Sequence, residues 1–355
     1  MKKSLLALTL LGAFASVAQA QSAVQIYGTV DAGLIKSTNQ TLNIGKRANN
    51  TLGFKGTEDL GNGLKALFQL EIRYEPDTGT LEQGAGGQRP LFQGQSRVGL
   101  QGDFGMVRLG RGLTALQESS TAFEPWRGLP TPAGFQTDLQ VAGYSNVLGL
   151  TSGSDPLGPV GNSGNRFSNA IFYNSPEFAG FQVNTTIGTK ENNGGAYIGN
   201  GTAAAPQYPA SVIGSVNPYS ISTTYKNGPV AAMLATERNA VETRLWSIAA
   251  AIFATPELKL MASYQRQNQE HTKTLNPLTK AWVLGANSTM GSSKILAGYG
   301  QKSPDGVAKT KQLSVGYEYS LSKRTYLYAD ASKKKNPALA IPTVNTYALG
   351  VNHAF

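Results

Sequence analysis

Residues 96–112 read S-R-V-G-L-Q-G-D-F-G-M-V-R-L-G-R-G. Val98 and Leu100 point one way, and Arg97, Gly99 and Gln101 the other. After Gly102-Asp103-Phe104-Gly105 the alternation resumes, with Val107 and Leu109 against Met106, Arg108 and Gly110. Period-two alternation across a Gly/Asp turn predicts a β-hairpin. Its second face is basic and small rather than hydrophobic. The same pattern recurs along the chain. In 24–34, Val24, Ile26, Val30, Ala32 and Leu34 oppose Gln25, Tyr27, Thr29 and Asp31. In 63–74, Leu64, Ala66, Phe68, Leu70 and Ile72 oppose Lys65, Gln69, Glu71 and Arg73. Further strands are predicted over 51–57, 166–174, 180–190, 218–226, 229–237, 242–254, 257–268, 278–289, 292–302, 310–320, 324–334 and 344–355, which brings the number to sixteen.

The links between these strands sort by parity. Those after even-numbered strands are short turns such as Asn227-Gly228 and Met290-Gly291, whereas those after odd-numbered strands are mostly longer and polar. This is the layout of an up-and-down barrel with one rim facing the periplasm and the other the cell exterior. A soluble core could not take the second face, because each strand would bury several unpaired charges. A barrel with lipid outside and water inside satisfies both faces and leaves no sheet edge. Aromatic residues near strand ends (Phe54, Phe181, Tyr317, Tyr319, Tyr347, Phe355) suit the girdles of such a barrel. One stretch, 113–165, has no sustained pattern, and a loop that long in a compact domain is usually functional.

Composition narrows the class. The chain of 355 residues opens with Lys2 and Lys3, an apolar run from Leu5 to Val17, and Ala18-Gln19-Ala20. This predicts a secretory signal peptide over 1–20, with the barrel domain over 21–355. The run is too short to span a bilayer as a helix, and no later segment is apolar for long enough. The mean hydropathy of −0.22 is that of a lipid face averaged with a wet one. With no cysteine, there is no disulfide framework, so stability has to come from a closed sheet or a large core. The formal net charge is +10, and losing Lys2 and Lys3 lowers it by two to +8.

The end of the chain, Tyr347-Ala348-Leu349-Gly350-Val351-Asn352-His353-Ala354-Phe355, resembles the G-x-x-H-x-F terminus of Gram-negative trimeric porins of the β-proteobacterial type. The opening V-x-x-Y-G-x-V-D-x-G of 24–34 is similar to that family too, as are G-F-K-G-T-E-D-L-G-N-G-L-K-A-L-F at 53–68, the stretch 98–111, N-A-I-F-Y-N-S-P-E-F-A-G-F at 169–181, and L-S-K-R-T within 316–328. The resemblance implies an all-β fold, a 16-stranded antiparallel transmembrane β-barrel with an inward-folded constriction loop in 113–165. It also implies a homotrimer in the outer membrane, among outer-membrane lipid and lipopolysaccharide, passing small ions and hydrophilic solutes; neither a cofactor nor a nucleic-acid partner is expected, and without cysteine or clustered histidine no catalytic metal is expected. The outward row Tyr347, Leu349, Val351, His353 and Phe355 would be the signal read by the outer-membrane assembly machinery.

A pore does no bond chemistry; ring charge and width at its narrowest section select solutes. Strand parity places Arg97 and Arg108 in the lumen near mid-barrel, Arg73 and Arg166 on lumen-facing rows in the outer half, and Lys55 and Lys65 inward toward the periplasmic end. In the family, basic wall residues face acidic groups on the inserted loop, for which this chain offers Glu118, Glu124 and Asp138. Two positions depart from the family, which often carries Arg where this chain has Asn50-Thr51 and Gln93-Gly94-Gln95. Arg47 or Arg97 could compensate. The expected anion preference is therefore mild. A substrate-specific channel, for organic acids for example, is the alternative, with Tyr27, Tyr326 and Tyr328 as its track. A barrel enzyme would need a partnered histidine. The chain has two, His353 on the last strand and His271 beside Glu270 in a polar loop.

Overall fold

A closed hydrogen-bonded ladder organises the computed structural model, which describes residues 23–84, 87–88, 91–136, 146–147, 150–151, 165–189, 217–238, 244–268 and 278–355. The expected signal segment 1–20, Asp138 and His271 lie outside the described residues. Among those described, sixteen strands form the wall: β1 (Ala23–Ser37), β2 (Asn50–Gly61), β3 (Leu64–Tyr74), β4 (Gln95–Gly102), β5 (Gly105–Leu113), β6 (Arg166–Asn174), β7 (Phe181–Gly188) and β8 (Tyr219–Asn227) make up the first half. The second half is β9 (Val230–Arg238), β10 (Arg244–Phe253), β11 (Leu258–Asn268), β12 (Leu278–Met290), β13 (Ser293–Pro304), β14 (Thr310–Ser320), β15 (Thr325–Lys335) and β16 (Thr343–Ala354). Each strand pairs antiparallel with its sequence neighbour, and β16 returns to β1 in a register running from Thr29↔Ala354 to Ser37↔Thr346. The final residue completes the seam, because Gly28 and Phe355 exchange backbone hydrogen bonds at 3.1 Å in both directions. In hydrocarbon an open edge would strand a row of amides, so this closure is what allows the sheet to cross a membrane.

The predicted strands match these to within a few residues, and the turn chemistry explains the tight ends. Asn62 and Gly63 both take positive φ (51° and 76°), the left-handed pair that joins β2 to β3. The outward rows are apolar: Val24, Val98, Leu109, Leu234, Leu284, Leu313 and Leu349 all lie on the exposed face. Tyr347, Val351, His353 and Phe355 continue the outward row at the C-terminus, and the His353 ring hydrogen-bonds the Thr325 hydroxyl at 2.8 Å.

Two expectations need correction. The stretch after β5 is not without regular structure. Thr114 caps a one-and-a-half-turn helix, α1 (Ala115–Ser120), which runs into a 3-10 turn over Thr121–Phe123. Six residues are too few for a helical period to show in sequence. Nor is the inward face uniformly polar. On β9–β13 it carries Met233, Ala235, Leu245, Ala249, Met261, Val283 and Leu296, all buried. These residues are apolar because α1 and the chain after it cover them: Leu116 and Phe123 pack into the first group, and Trp126, Ala133 and Phe135 into the second. Inward glycines make the room, since a Cβ would lie 2.4 Å from Pro125 at Gly285, 2.4 Å from Phe135 at Gly298, and 3.0 Å from Trp126 at Gly316.

If the exposed rows face hydrocarbon, Leu284→Arg near the middle of β12 is expected to lower the unfolding free energy in phospholipid vesicles by about 2–4 kcal/mol. Denaturant titration checks this; a change within 0.5 kcal/mol, roughly what a water-exposed site gives, would contradict the orientation.

Candidate functional site: the lumen

The inserted residues 114–136 lie against the inner wall from β7 to β15. Ala115 and Leu116 donate their N–H groups to the Thr186 and Ser220 hydroxyls at 3.1 and 3.0 Å. The Gln312 side-chain amide on β14 donates to the carbonyls of Pro132, Ala133 and Gly134 at 3.0–3.2 Å. Lys259 on β11 donates to the Ala122 carbonyl at 2.6 Å. The space left beside the insert is bounded by the opposite wall, β1–β5.

That wall is basic, as the parity of the strands predicts. Arg97 and Arg108 both point inward and meet the predicted loop acid. Arg97 Nη1 is 3.1 Å from Glu118 Oε1, and Arg108 Nη2 is 3.7 Å from Glu118 Oε2. Each guanidinium has a second anchor, Gln69 Oε1 at 2.9 Å for Arg97 and the Asn174 side chain for Arg108. Phe172 lies under both, 5.4 and 5.8 Å from their central carbons. Glu118 stays partly open to the lumen (28% side-chain exposure). A cavity of about 370 Å³ on this side is lined by Gln25, Lys55, Gln69, Arg97, Met106 and Arg108, with no carboxylate among its lining residues. Lys55 is exposed in it, with its ammonium 5.1 Å from the centre of the Tyr27 ring. Lys65 is also exposed, near the short-turn end and opposite Gln101.

The other predicted residues sit elsewhere. Arg166 is sealed (2% exposed), its Nε donating to the Gly94 carbonyl at 2.7 Å and its Nη1 to Asn165 at 3.1 Å. Arg73 is spent on Glu71, 3.6 Å away. Glu124 does not face the pore. Its two oxygens accept from the backbone N–H of Phe135 at 3.0 Å and Gly128 at 2.8 Å, so the carboxylate closes the insert on itself. Burial pushes this carboxyl above its ordinary range, against the pull of those N–H donors.

One cluster was missed in the sequence. Arg47, from the link after β1, enters the barrel and is fully buried. Its guanidinium meets Glu318 on β14 at 2.7 Å and Asp330 on β15 at 2.9 Å, over the Tyr328 ring at 4.9 Å. Its backbone N–H donates to Asp31 at 2.6 Å, and Asp31 also accepts from Tyr328 and Asn352 at 3.0 and 2.8 Å. The insert is tied to the same two acids: Trp126 Nε1 donates to Asp330 at 3.0 Å, and Arg127 to Glu318 at 2.8 Å. Burial works against the Arg47 charge, but Asp330 and Glu318 more than offset it and hold the guanidinium above its ordinary range. The inward glycines of β12–β14 are the signal that could have revealed the seat; the pairing of Arg47 left no signal in the sequence.

Removing Arg47 leaves two buried carboxylates without their main counter-charge, which costs on the order of 3–5 kcal/mol. Arg47→Met is expected to lose about that much stability and to loosen the seat of Trp126. The chain has three tryptophans, so in a Trp246→Phe/Trp282→Phe background acrylamide quenching reads Trp126 alone. Quenching should rise in Arg47→Met; equal quenching would contradict the tie.

The chain and its barrel fold are matched by known proteins. The Gram-negative porin family model aligns with residues 7–339. The chain is 30% identical to outer membrane porin protein 32 of Delftia acidovorans over 99% of this chain and 95% of that one. It is 28% identical to an outer membrane porin protein of Bordetella pertussis over the full length of both. The anion-selective porin from Comamonas acidovorans superposes with a TM-score of 0.74 at 25% identity, covering 94% of this chain and 100% of that one. Salmonella typhi OmpF shares the fold alone, at a TM-score of 0.63 and 13% identity over 94% of this chain and 98% of that one. A closed sixteen-stranded barrel with a charged, water-facing interior and these relatives identifies the chain as a member of the Gram-negative porins, an outer-membrane channel and not an enzyme.

Proposed function

We propose that this porin is a general diffusion pore with a mild preference for anions, and that Arg97, Arg108 and Glu118 form its eyelet. The observation that carries this is the meeting of two wall guanidinium groups with one carboxylate of the insert, at 3.1 and 3.7 Å. Two cations against one anion leave a positive surplus, and Lys55 adds to it on the same wall. A narrow, low-dielectric passage of one sign raises the local concentration of the opposite ion. The relative from Comamonas acidovorans bears the description anion-selective, which supports the same sign here. The preference is mild because Glu118 offsets part of the charge, because Arg73 and Arg166 are engaged in the wall, and because uncharged Asn50, Gln93 and Gln95 stand where wall arginines are common in the family.

In this reading residues 113–165 form the constriction region, 1–20 is a signal peptide, and 21–355 is the barrel. The pore assembles as a homotrimer embedded among outer-membrane lipid and lipopolysaccharide. The C-terminal row Tyr347, Leu349, Val351, His353 and Phe355 presents the aromatic end recognised by the assembly machinery. A binding track of tyrosines is disfavoured. Tyr27 is hydrogen-bonded to Glu71 and Gln69, and Tyr328 is buried against Asp31.

In planar bilayers, ohmic current steps in threes are expected, and in a KCl gradient the reversal potential should lie on the chloride side. Arg97→Ala should lower the chloride-to-potassium permeability ratio by roughly a factor of two. An unchanged ratio would remove Arg97 from the eyelet, and saturable block by one class of solute would favour a specific channel.

A further inference from the structure

Strand β6 departs from the polar pattern of the open side of the lumen. Ile171 is exposed on the outer face, as lipid requires, but the next residue, on the inner face, is the aromatic Phe172. Phe172 is only 2% exposed. It belongs to neither of the apolar groups that seat the insert; its own cluster is Phe167 and Ala170. What stands over its ring is charge: the central carbons of the Arg97 and Arg108 guanidinium groups lie 5.4 and 5.8 Å from the ring centre.

The strand register delivers both arginines to one ring. Phe172 is directly opposite Arg108 across β5 and β6. Arg97 is opposite Gly110, and Gly110 is opposite Ala170, so the positions that separate Arg97 from β6 carry almost no side chain. Glycine also floors both arginines. A Cβ at Gly99 would lie 2.9 Å from Arg108 Cγ, and one at Gly112 would lie 2.9 Å from Arg97 Cδ. Both side chains therefore run along the wall and bring two like charges together, which repel. Glu118, Gln69 and Asn174 hold the Nη ends. They leave the other edge unheld: among the described residues, the Nε–H groups of both arginines are buried without a hydrogen-bond partner. A buried donor without an acceptor is costly. The electron-rich face of an aromatic ring attracts a cation that no hydrogen bond holds from that side.

We propose that Phe172 is a positioning residue of the eyelet: its ring face holds the Arg97 and Arg108 guanidinium groups side by side on the wall, and so fixes the concentrated positive charge that a solute meets opposite Glu118. Without the attraction of the ring the two cations move apart along the passage, and the field they make together weakens. The proposal deepens the eyelet reading above and rests on it for the effect on selectivity.

The test keeps the size of the ring and removes its electron density. Fluorine withdraws charge from the ring face, so replacing Phe172 by 4-fluorophenylalanine and then by 3,4,5-trifluorophenylalanine weakens the attraction in two steps. The full-length barrel, folded in detergent, is treated with phenylglyoxal, and the modification of each arginine is followed by peptide mass. Arg97 and Arg108 should react at least about threefold faster in the trifluoro protein than in wild type, with the monofluoro protein between them. Arg127, whose side chain is 46% exposed and paired with Glu318, should keep its rate and serves as the internal reference. In a KCl gradient the chloride-to-potassium permeability ratio of the trifluoro protein should fall by roughly 1.5-fold, less than for Arg97→Ala. A ring that only fills space predicts wild-type reactivity in both fluorinated proteins, and that result would overturn the proposal. So would faster reaction with an unchanged ratio where Arg97→Ala does lower it. If Arg97→Ala itself leaves the ratio unchanged, the eyelet reading fails, while the reactivity series still decides whether Phe172 holds the two groups.

Discussion

Every feature of this molecule depends on leaving no backbone amide unpaired in hydrocarbon. A single sheet can cross a bilayer only if it closes, and here the closure is made by β16 on β1 and sealed at the last residue, where Phe355 and Gly28 exchange hydrogen bonds. Closure then forces the two-faced strand pattern. The outer face must be apolar because it meets lipid, and the inner face must be able to face water, which is where charge can be placed without partners in a core.

The inside of the barrel is nonetheless divided. One part of the wall, β1–β5, lines the open passage, where Arg97 and Arg108 are held by Glu118, Gln69 and Asn174 and Lys55 is exposed. Another part is covered by residues 114–136 and packs like a protein interior, with glycines at Gly285, Gly298 and Gly316 admitting Pro125, Phe135 and Trp126. Buried ion pairs rarely add much net stability, but their directionality fixes geometry. Arg47 shows this use: by holding Glu318 and Asp330 it fixes the acceptors to which Trp126 and Arg127 are tied, and so braces the insert that carries Glu118. In the proposed reading, the width and the charge of the passage are thus set by different residues.

The strands were legible in the sequence because period-two alternation is a local signal, and the facing of Arg97 and Arg108 followed from parity alone. Glu118 could be named as a loop acid, but not told apart from Glu124, since sequence does not show whether a carboxylate faces water or caps its own loop. The α1 helix is too short to reveal a period. The Arg47 cluster was invisible for another reason: its partners lie 271 and 283 residues away along the chain, and only the closing of the barrel brings them together. The apolar inner rows of β9–β13 were similarly hidden, because alternation weakens where both faces are covered by something other than water.

The central claim is that the charge of the passage is set where Arg97 and Arg108 face Glu118. The chain contains no cysteine, so a single one at this position can be modified without side reactions. The direct measurement is the reversal potential of Glu118→Cys in a KCl gradient, after reaction with a positively or a negatively charged methanethiosulfonate reagent. The positive adduct should move the potential further toward chloride than in wild type, and the negative adduct should return it close to the wild-type value. The same potential for both adducts, with modification verified by mass, would contradict the account.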